Sequence, residues 1–402
     1  MKYIADLHLH SKFARACSKE LELPQIQTVC LEKGVDIIGT GDFTHPGWFK
    51  HLKDNLIEDD NSGLYIMKDN PSRVHWIFSA EVALIYKDKG KTRRIHLVLH
   101  APSLEAAAEL NSRLGDKFNL KSDGRPILGI RAPEFVRLCL EVHPQFLVYP
   151  AHIWTPWFSV FGSKSGFDRL EDCFEDQTEN IFAYETGLSS DPEMNWRVSQ
   201  LDSLVMLSNS DAHSPHNIAR EANILELDEL SYNRFYNLLK NKEKHLIKTI
   251  EFYPEEGMYH WDGHSACAFS CPPAESKRLN GLCPKCGRPL VIGVEYRVEE
   301  LADRTAGARP EGMSDFAKLV ELDKIIAQSL GIKSRSSKAV MAEYHKIISV
   351  FGPELYILMD LPLDKLNGVN PKIIEGIGRV RAGEVMTVPG YDGQYGTVQI
   401  FK

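Results

Sequence analysis

The amino-acid sequence predicts an α/β protein: a barrel of alternating strands and helices, then a small metal-binding module, then a mainly helical C-terminal region. Three observations carry that expectation. Over roughly the first 230 residues, short and nearly continuous apolar runs alternate with amphipathic stretches, the pattern of parallel strands covered by helices. Four of the eight cysteines, Cys267, Cys271, Cys283 and Cys286, fall within twenty residues of one another. Beyond about residue 300 the apolar spacing turns helical and then yields to glycine-rich turns.

In chain order, the strand candidates are 3–7, 35–39, 74–79, 95–99, 146–149, 181–184 and 204–208, each a short β-branched or aromatic run. Helical spacing fills 24–33, 103–114, 133–143 and 192–201 between them. Seven such units favour a barrel over an open sheet. One deviation stands out: residues 81–86, the turn Lys87-Asp88-Lys89-Gly90 and residues 92–100 read as a β-hairpin. A cysteine-, proline- and glycine-rich stretch follows, and helices are expected at 313–330 and 336–351. The expected division is a catalytic barrel over 1–245, a four-cysteine module over 246–300 and a helical, glycine-rich region over 301–402.

Of 402 residues, 43% are hydrophobic and 25% charged, which excludes a disordered, collagenous or coiled-coil chain. No apolar run approaches the ~20 residues of a membrane span. The opening Met1-Lys2-Tyr3-Ile4-Ala5-Asp6-Leu7-His8 is unlike a signal peptide, so a cytoplasmic protein is expected. Taken whole, the net charge of −8 argues against a nucleic-acid partner. Its distribution weakens that argument: residues 301–402 hold 13 Lys and Arg against 12 Asp and Glu, so the acidity belongs to the front of the chain.

The chemistry lies at the strand ends. The apolar runs end in Asp6-Leu7-His8-Leu9-His10, Thr40-Gly41-Asp42, Ala80-Glu81, Pro150-Ala151-His152, Tyr184-Glu185 and Asp211-Ala212-His213. In parallel α/β folds the carboxyl ends of the strands form the active-site face. His8 and His10 share one face of a strand, as do Asp211 and His213. With Glu81, Asp42 and His152 these groups can surround more than one divalent ion, and an imidazole–carboxylate mixture suits zinc, manganese or iron better than calcium. If the hairpin turns near Lys89, Glu81 faces a partner around residue 97 and lies close to His96; His100 is the alternative ligand. His45, His75 and His143 default to structural roles.

These residues resemble the polymerase and histidinol phosphatase (PHP) superfamily, a resemblance covering about residues 1–230. It implies a distorted (β/α)7 barrel that holds two or three divalent metals (zinc, manganese or magnesium) for phosphoester hydrolysis. By position, it implies that His8, His10, Glu81 and Asp211 hold one metal and that Glu81, His96 and His152 hold a second. Asp42 and His213 remain for a third, where the family's usual Thr-Asp-His is here Thr40-Gly41-Asp42. Closely spaced ions neutralise the phosphate, lower the pKa of a bound water and stabilise the leaving oxygen. Asp211, Glu81 and Glu185 are the carboxylates expected to act in catalysis, Glu185 either behind the ligands or as a base that orients water.

Cys267-x3-Cys271 and Cys283-x2-Cys286 predict a structural zinc site of four thiolates, with His264 near enough to compete. Phosphate contacts are expected from Lys91, Arg93 and Arg94 on the hairpin, from Lys333 and Arg335 before a helix, and from Arg379 and Arg381 ahead of the 390–396 loop. The aromatic stretch after His152, with Trp154 and Trp157, and Phe161 beyond it, is the candidate pocket for an extruded base.

Over nearly all 402 residues the pattern resembles the endonuclease Q branch of that superfamily, the stretch from Gly293 to Arg304 after the cysteine knuckle included. The resemblance implies hydrolysis of double- or single-stranded DNA on the 5′ side of uracil, hypoxanthine, xanthine or an abasic site, leaving 3′-OH and 5′-phosphate ends. Replication or repair proteins are candidate partners. The alternative is a PHP phosphoesterase acting on small phosphate esters with the same metals; a DNA-binding scaffold without activity is a third reading.

Overall fold

The computed structural model describes residues 1–401. Each of the seven expected strands forms. Lys2–Asp6 pairs parallel with Ile37–Gly39, which pairs parallel with His75–Ile77. The chain then continues into the hairpin of Ser79–Asp88 and Lys91–His100. Its two-residue turn, Lys89-Gly90, has φ of 45° and 79°, the left-handed pair that matches strand twist in a tight hairpin. Lys91–His100 runs antiparallel to Leu147–Pro150, and Ala183–Glu185 runs parallel to Val205–Leu207.

The last of these strands returns to the first. Asp211 N–H donates to the His8 carbonyl (2.9 Å) and His10 N–H to the Ala212 carbonyl (3.0 Å). Pairing is divided among separate sheets rather than one continuous ring. The helices Leu23–Lys33, Leu104–Gly115 and Ala132–Val142 pack on the outside through Ile26, Leu110, Phe135 and their neighbours. Caps start these helices where the sequence places them: Pro24 begins the first, and Ser103 accepts from Ala106 N–H at 3.2 Å. Across 192–201 only the short helix Pro192–Asn195 and a 3-10 turn at Ser199–Leu201 form.

Five strands add to the sheet beyond the expected set, with Leu56–Glu58 and Tyr65–Met67 at the His75–Ile77 edge and the other three at the opposite edge. Ala222–Glu226 and Ile247–Glu251 extend it antiparallel from Lys2–Asp6, and Asp315–Lys318 joins parallel to Ile247–Glu251. That corrects the helix expected over 313–330, whose helical part is Leu322–Leu330. The open edge of Ile247–Glu251 captures residues 315–318, and such tertiary pairing outweighs local periodicity.

The cysteine-rich module holds the small antiparallel pair Asp262–His264 and Phe269–Cys271 and the helix Val294–Leu301. Arg297 of that helix donates to the carbonyls of Phe161 (2.9 Å) and Phe167 (3.0 Å), so the module braces the loop that follows Leu147–Pro150. The terminal hairpin, Met386–Val388 and Thr397–Gln399, docks on the module in turn. Asp392 accepts from the N–H (2.7 Å) and hydroxyl (2.8 Å) of Ser265. No helix among the described residues is long and apolar enough to cross a membrane.

Candidate metal centre and its surroundings

Three strand ends and the hairpin converge on one group of donors. His8, His10, Glu81 and Asp211 each offer a ligand atom, all within 4.8 Å of one another; Glu81, His96 and His152 do the same. These are the two sets that the family resemblance implies for two metals, with Glu81 common to both. Glu81 Oε2 faces His10 Nε2 (3.3 Å) and His8 Nε2 (3.7 Å), whereas Oε1 faces His96 Nδ1 (2.7 Å) and His152 Nε2 (3.1 Å).

Hairpin register explains His96. Glu81 pairs with Val98 and Ala83 with His96, one step from the partner expected near residue 97. Opposed residues share a face, so Glu81, Val98 and His96 point the same way; a one-residue slip would turn His96 outward. His100 lies on that face too, but its Nε2 meets the Tyr149 hydroxyl at 2.9 Å, and burial pushes its pKa down to about 3. It is a core histidine.

A cation fits these donors. His8 Nε2, His10 Nε2 and Asp211 Oδ1 are buried without any hydrogen-bond partner. Such orphans are costly unless something else satisfies them. Each first-set imidazole is turned by a carboxylate behind it: Glu185 accepts from His8 Nδ1 (3.1 and 3.0 Å), and Asp42 accepts from His10 Nδ1 (2.9 Å). That leaves both Nε2 lone pairs aimed into the cluster. Burial alone would lower both imidazoles, but Glu185 and Glu81 around His8, and Asp42 and Asp211 around His10, hold them well above the ordinary histidine value. Burial opposes charge on Glu81 as well, yet His96 and Arg125 keep it well below the carboxylate range. Asp211 is held low against burial by His213 and His10.

The backbone is bent to achieve this. Asp42 (φ 46°), His152 (φ 26°) and Asp211 (φ 45°) all sit in the left-handed region, which costs a non-glycine residue roughly 1–3 kcal/mol and clusters at functional sites. Gly187 is required there: at φ 71° it packs so closely on His152 that a Cβ would lie 2.6 Å from the His152 Cβ.

Several expected roles change. Asp42, expected at a third ion, has both oxygens engaged by neighbours here. Its Oδ1 takes His10, and its Oδ2 takes Ser11 N–H (2.6 Å) and the Ser11 hydroxyl (2.7 Å). His213 stacks edge-on against His10, ring centres 4.6 Å apart, outside both donor sets. Glu185 holds His8, and it also accepts from Asn209 Nδ2 (2.8 Å) and His152 N–H (3.1 Å). Both its oxygens are engaged, an arrangement suited to orienting the His8 ring. Arg125, which the sequence pattern did not single out, donates to Glu81 at 2.8 Å. An arginine in the turn Ser122-Asp123-Gly124-Arg125 carries no signal that links it to Glu81, 44 residues away.

The substrate contacts expected from sequence divide as well. Trp154 is buried, its Nε1 donating to Asn195 at 2.7 Å and its ring against Phe161, so it is core. Trp157 is half-buried and lies edge-to-face with Tyr259 of the cysteine-rich segment. Arg335 is consumed by Glu321 (3.0 Å) and Asp323 (2.8 Å), and Arg381 donates to the carbonyls of Ile357, Leu358 and Leu361 beside the helix Glu354–Met359. Neither has a free guanidinium for phosphate. Arg379 lies 3.7 Å from Glu375 on its own helix, and Lys333 is exposed. Arg93 stacks on Phe167, and Lys91 lies at the hairpin tip, ten residues along the chain from Glu81.

In the cysteine-rich module the gathered donors are His264, Cys267, Cys283 and Cys286. Of the four expected thiols Cys271 lies outside this group, and His264 lies within it. Cys271 closes its strand opposite Asp262 and packs with Cys283 and Leu290, where burial pushes its thiol up to about 11. His264 Nδ1 instead reaches Cys286 Sγ at 3.4 Å. Gly287 N–H donates to the Cys283 carbonyl (2.8 Å) to close the knuckle. Although desolvation opposes it, the amides of Lys285 and Cys286 and the His264 ring draw the Cys283 thiol down to about 6. Three thiolates and an imidazole suit a closed tetrahedral zinc site.

Comparison with known proteins follows the same lines. A family described as the MJ0043 C-terminal domain matches residues 321–384. The uncharacterized protein MJ0043 of Methanocaldococcus jannaschii is 34% identical over 250 residues, a match spanning 61% of this chain and only 31% of that protein's length. Two solved structures match throughout. The lesion-specific endonuclease PfuEndoQ of Pyrococcus furiosus is 31% identical with a TM-score of 0.86, over 99% of this chain and 95% of that one. An endonuclease Q in complex with a 27-mer duplex substrate, an abasic lesion at its active site, is also 31% identical, with a TM-score of 0.88 over 100% and 97% of the two chains. With that identity sustained from one end to the other, the chain belongs to the endonuclease Q family.

Proposed function

We propose that this protein is a metal-dependent DNA repair endonuclease that hydrolyses the phosphodiester 5′ to a deaminated base or abasic site. The observation that carries the reading is the pair of donor sets sharing Glu81 in a chain alike, over its whole length, to an endonuclease Q with an abasic duplex at its active site. Divalent ions held there supply phosphate neutralisation and an activated water. The chain's own residues do the rest. Glu81 spans the two positions, Asp211, His8 and His10 complete one, and His96 and His152 complete the other. Glu185 and Asp42 fix the imidazoles that face them. Zinc or manganese suits the imidazole-rich donors, and zinc suits the cysteine-rich module.

Residues 1–245 form the catalytic part in this reading, 246–300 the module that props its loops, and 301–402 a DNA-gripping region to which Lys333 and Arg379 contribute. Trp157, half-buried in the loop that follows His152, is the aromatic platform for an extruded base in this reading. The cytosol is the expected compartment, and repair or replication proteins the expected company.

Labelled duplexes containing uracil, hypoxanthine, an abasic site or no lesion, incubated with divalent metal, test the proposal. The expected product is a single nick 5′ to the lesion with 3′-OH and 5′-phosphate ends. Equal cutting of undamaged DNA overturns lesion specificity, and turnover of small phosphate esters alone overturns the nuclease reading.

A further inference from the structure

The segment Ser122–Pro126 brings an arginine to the metal centre. Arg125 Nη1 donates to Glu81 Oε2 at 2.8 Å, the oxygen that also faces His8 and His10. Its side chain is 27% exposed, which places it at the mouth of the centre and not in the interior. The loop is braced on three sides. Asp123 Oδ1 accepts from the N–H groups of Arg125 (3.2 Å) and Arg15 (3.1 Å), Gly124 N–H donates to the Phe13 carbonyl (3.1 Å), and the Pro126 carbonyl accepts from Ala83 N–H (3.0 Å). Gly124 itself lies so close to Asp42 that a Cβ there would collide with the carboxylate. The arginine is built into position.

That position is unfavourable for a cation once the donors hold ions. A guanidinium and divalent ions a few ångströms apart repel one another, and the partly dry site screens them less than water would. Glu81 cannot offset this alone, because each of its oxygens already serves one donor set. The arrangement becomes favourable only when an anion enters beside the guanidinium. Arginine suits this task, with five donors in a planar fork that matches phosphate oxygens.

We infer that Arg125 binds a non-bridging oxygen of the scissile phosphodiester, letting Glu81 Oε2 pass to the metal site and standing as a fixed positive charge where negative charge builds up. This rests on the nuclease reading above. In the hydrolysis, a water oxygen bonds to phosphorus, the P–O3′ bond breaks, and a proton from the water ends on the 3′ oxygen. Arg125 gives and takes no proton.

Arg125→Ala, Arg125→Gln and Arg125→Lys, each compared with the wild type for metal content, metal affinity and single-turnover cleavage of a lesion duplex, test this. The expected result is a loss in cleavage rate on the order of 10²–10³-fold in Arg125→Ala and Arg125→Gln, partly restored by lysine. KM should change little, and divalent ions should bind as tightly or tighter, because Glu81 is no longer shared. A neutral methylphosphonate at the scissile linkage should slow the wild type far more than Arg125→Ala. Unchanged cleavage in Arg125→Ala overturns the proposal, as does metal loss in the lysine and glutamine variants, which would make Arg125 an organiser of Glu81 only. A wild type inactive on every lesion duplex but active on bis(4-nitrophenyl) phosphate removes the DNA reading and leaves the same comparison to be made on that ester.

Discussion

The protein gathers donors for cations in two places, and it does so in opposite ways. At the catalytic centre they come from segments spread over about two hundred residues, from His8 to Asp211, and the whole strand assembly is needed to bring them together. In the cysteine-rich module, His264 to Cys286 lie on one short stretch that folds around its own knuckle. The first is carboxylate-bridged and backed by Glu185 and Asp42, with Asp211 partly open to the mouth. The second is thiolate-rich and has no carboxylate among its donors. One arrangement leaves room for a substrate. The other closes on itself and holds shape.

The largest expected effect breaks that comparison at its open end. Asp211→Asn keeps the side-chain shape and tolerates the left-handed backbone at φ 45°, but removes the charge opposite His10. Cleavage should fall by about 10³-fold or more, while the zinc content of the cysteine-rich module stays at one equivalent. Full activity in this variant would remove Asp211 from the metal centre.

Next comes the closed end. His264→Ala should release the module's metal and loosen Tyr259 and Arg297 from the 152–168 loop, lowering both melting temperature and activity. Cys271→Ser should keep the metal. The reverse pattern, zinc lost with Cys271→Ser and retained with His264→Ala, would restore the four-thiolate set that the cysteine spacing alone suggests.

These two cases show what was legible in the sequence. The proposed ligands His8, His10, His152 and Asp211 could be read because they follow apolar strands, and strand ends share a face; Glu81 and His96 lie within the hairpin, and His96 followed from counting back from its turn. In the module, spacing gave the donors' neighbourhood but not the choice between Cys271 and His264, which depends on which strand position turns toward the knuckle. Arg335 and Arg381 looked like phosphate contacts because sequence shows charge but hides the buried partner, here Glu321, Asp323 and three helix-end carbonyls. Arg125 was hidden for the converse reason: its partner is distant in sequence. Residues 315–318 looked helical because the strand edge that captures them lies some 65 residues earlier, at Ile247–Glu251.

A smaller effect separates ligands from the groups behind them. Glu185→Gln and Asp42→Asn each keep a hydrogen-bond acceptor but lose the charge that orients His8 or His10. Metal affinity should drop by about 10–100-fold with nicking recovered at high metal concentration. Recovery at saturating metal distinguishes these two from Asp211→Asn, which no added ion should rescue. A Glu185→Gln enzyme dead at every metal concentration would return Glu185 to a direct part in the chemistry.

The smallest effect lies just behind the centre and concerns stability alone. Glu251 ends the strand Ile247–Glu251, and Glu221 lies one step beyond the Ala222–Ile250 pair, so two carboxylates meet in the buried sheet. Neither Glu221 oxygen has a hydrogen-bond partner. Burial pushes Glu251 up to about 8, with Asp191 adding to it, and raises Glu221 as well. A carboxyl whose folded value lies above its unfolded one of 4.5 binds protons better in the folded chain. Its stabilisation is therefore complete below about pH 4.5 and is lost as the pH rises through about 8. Glu251→Gln removes one of the two titrations and leaves a neutral donor facing Glu221. Its melting temperature should exceed that of the wild type at pH 8 and above, and should fall less steeply between pH 5 and 8. A wild-type melting curve flat across that interval, or a variant equally sensitive to pH, would mean that the two carboxylates are ionised together in the fold and that a bound cation, rather than a shared proton, keeps them apart.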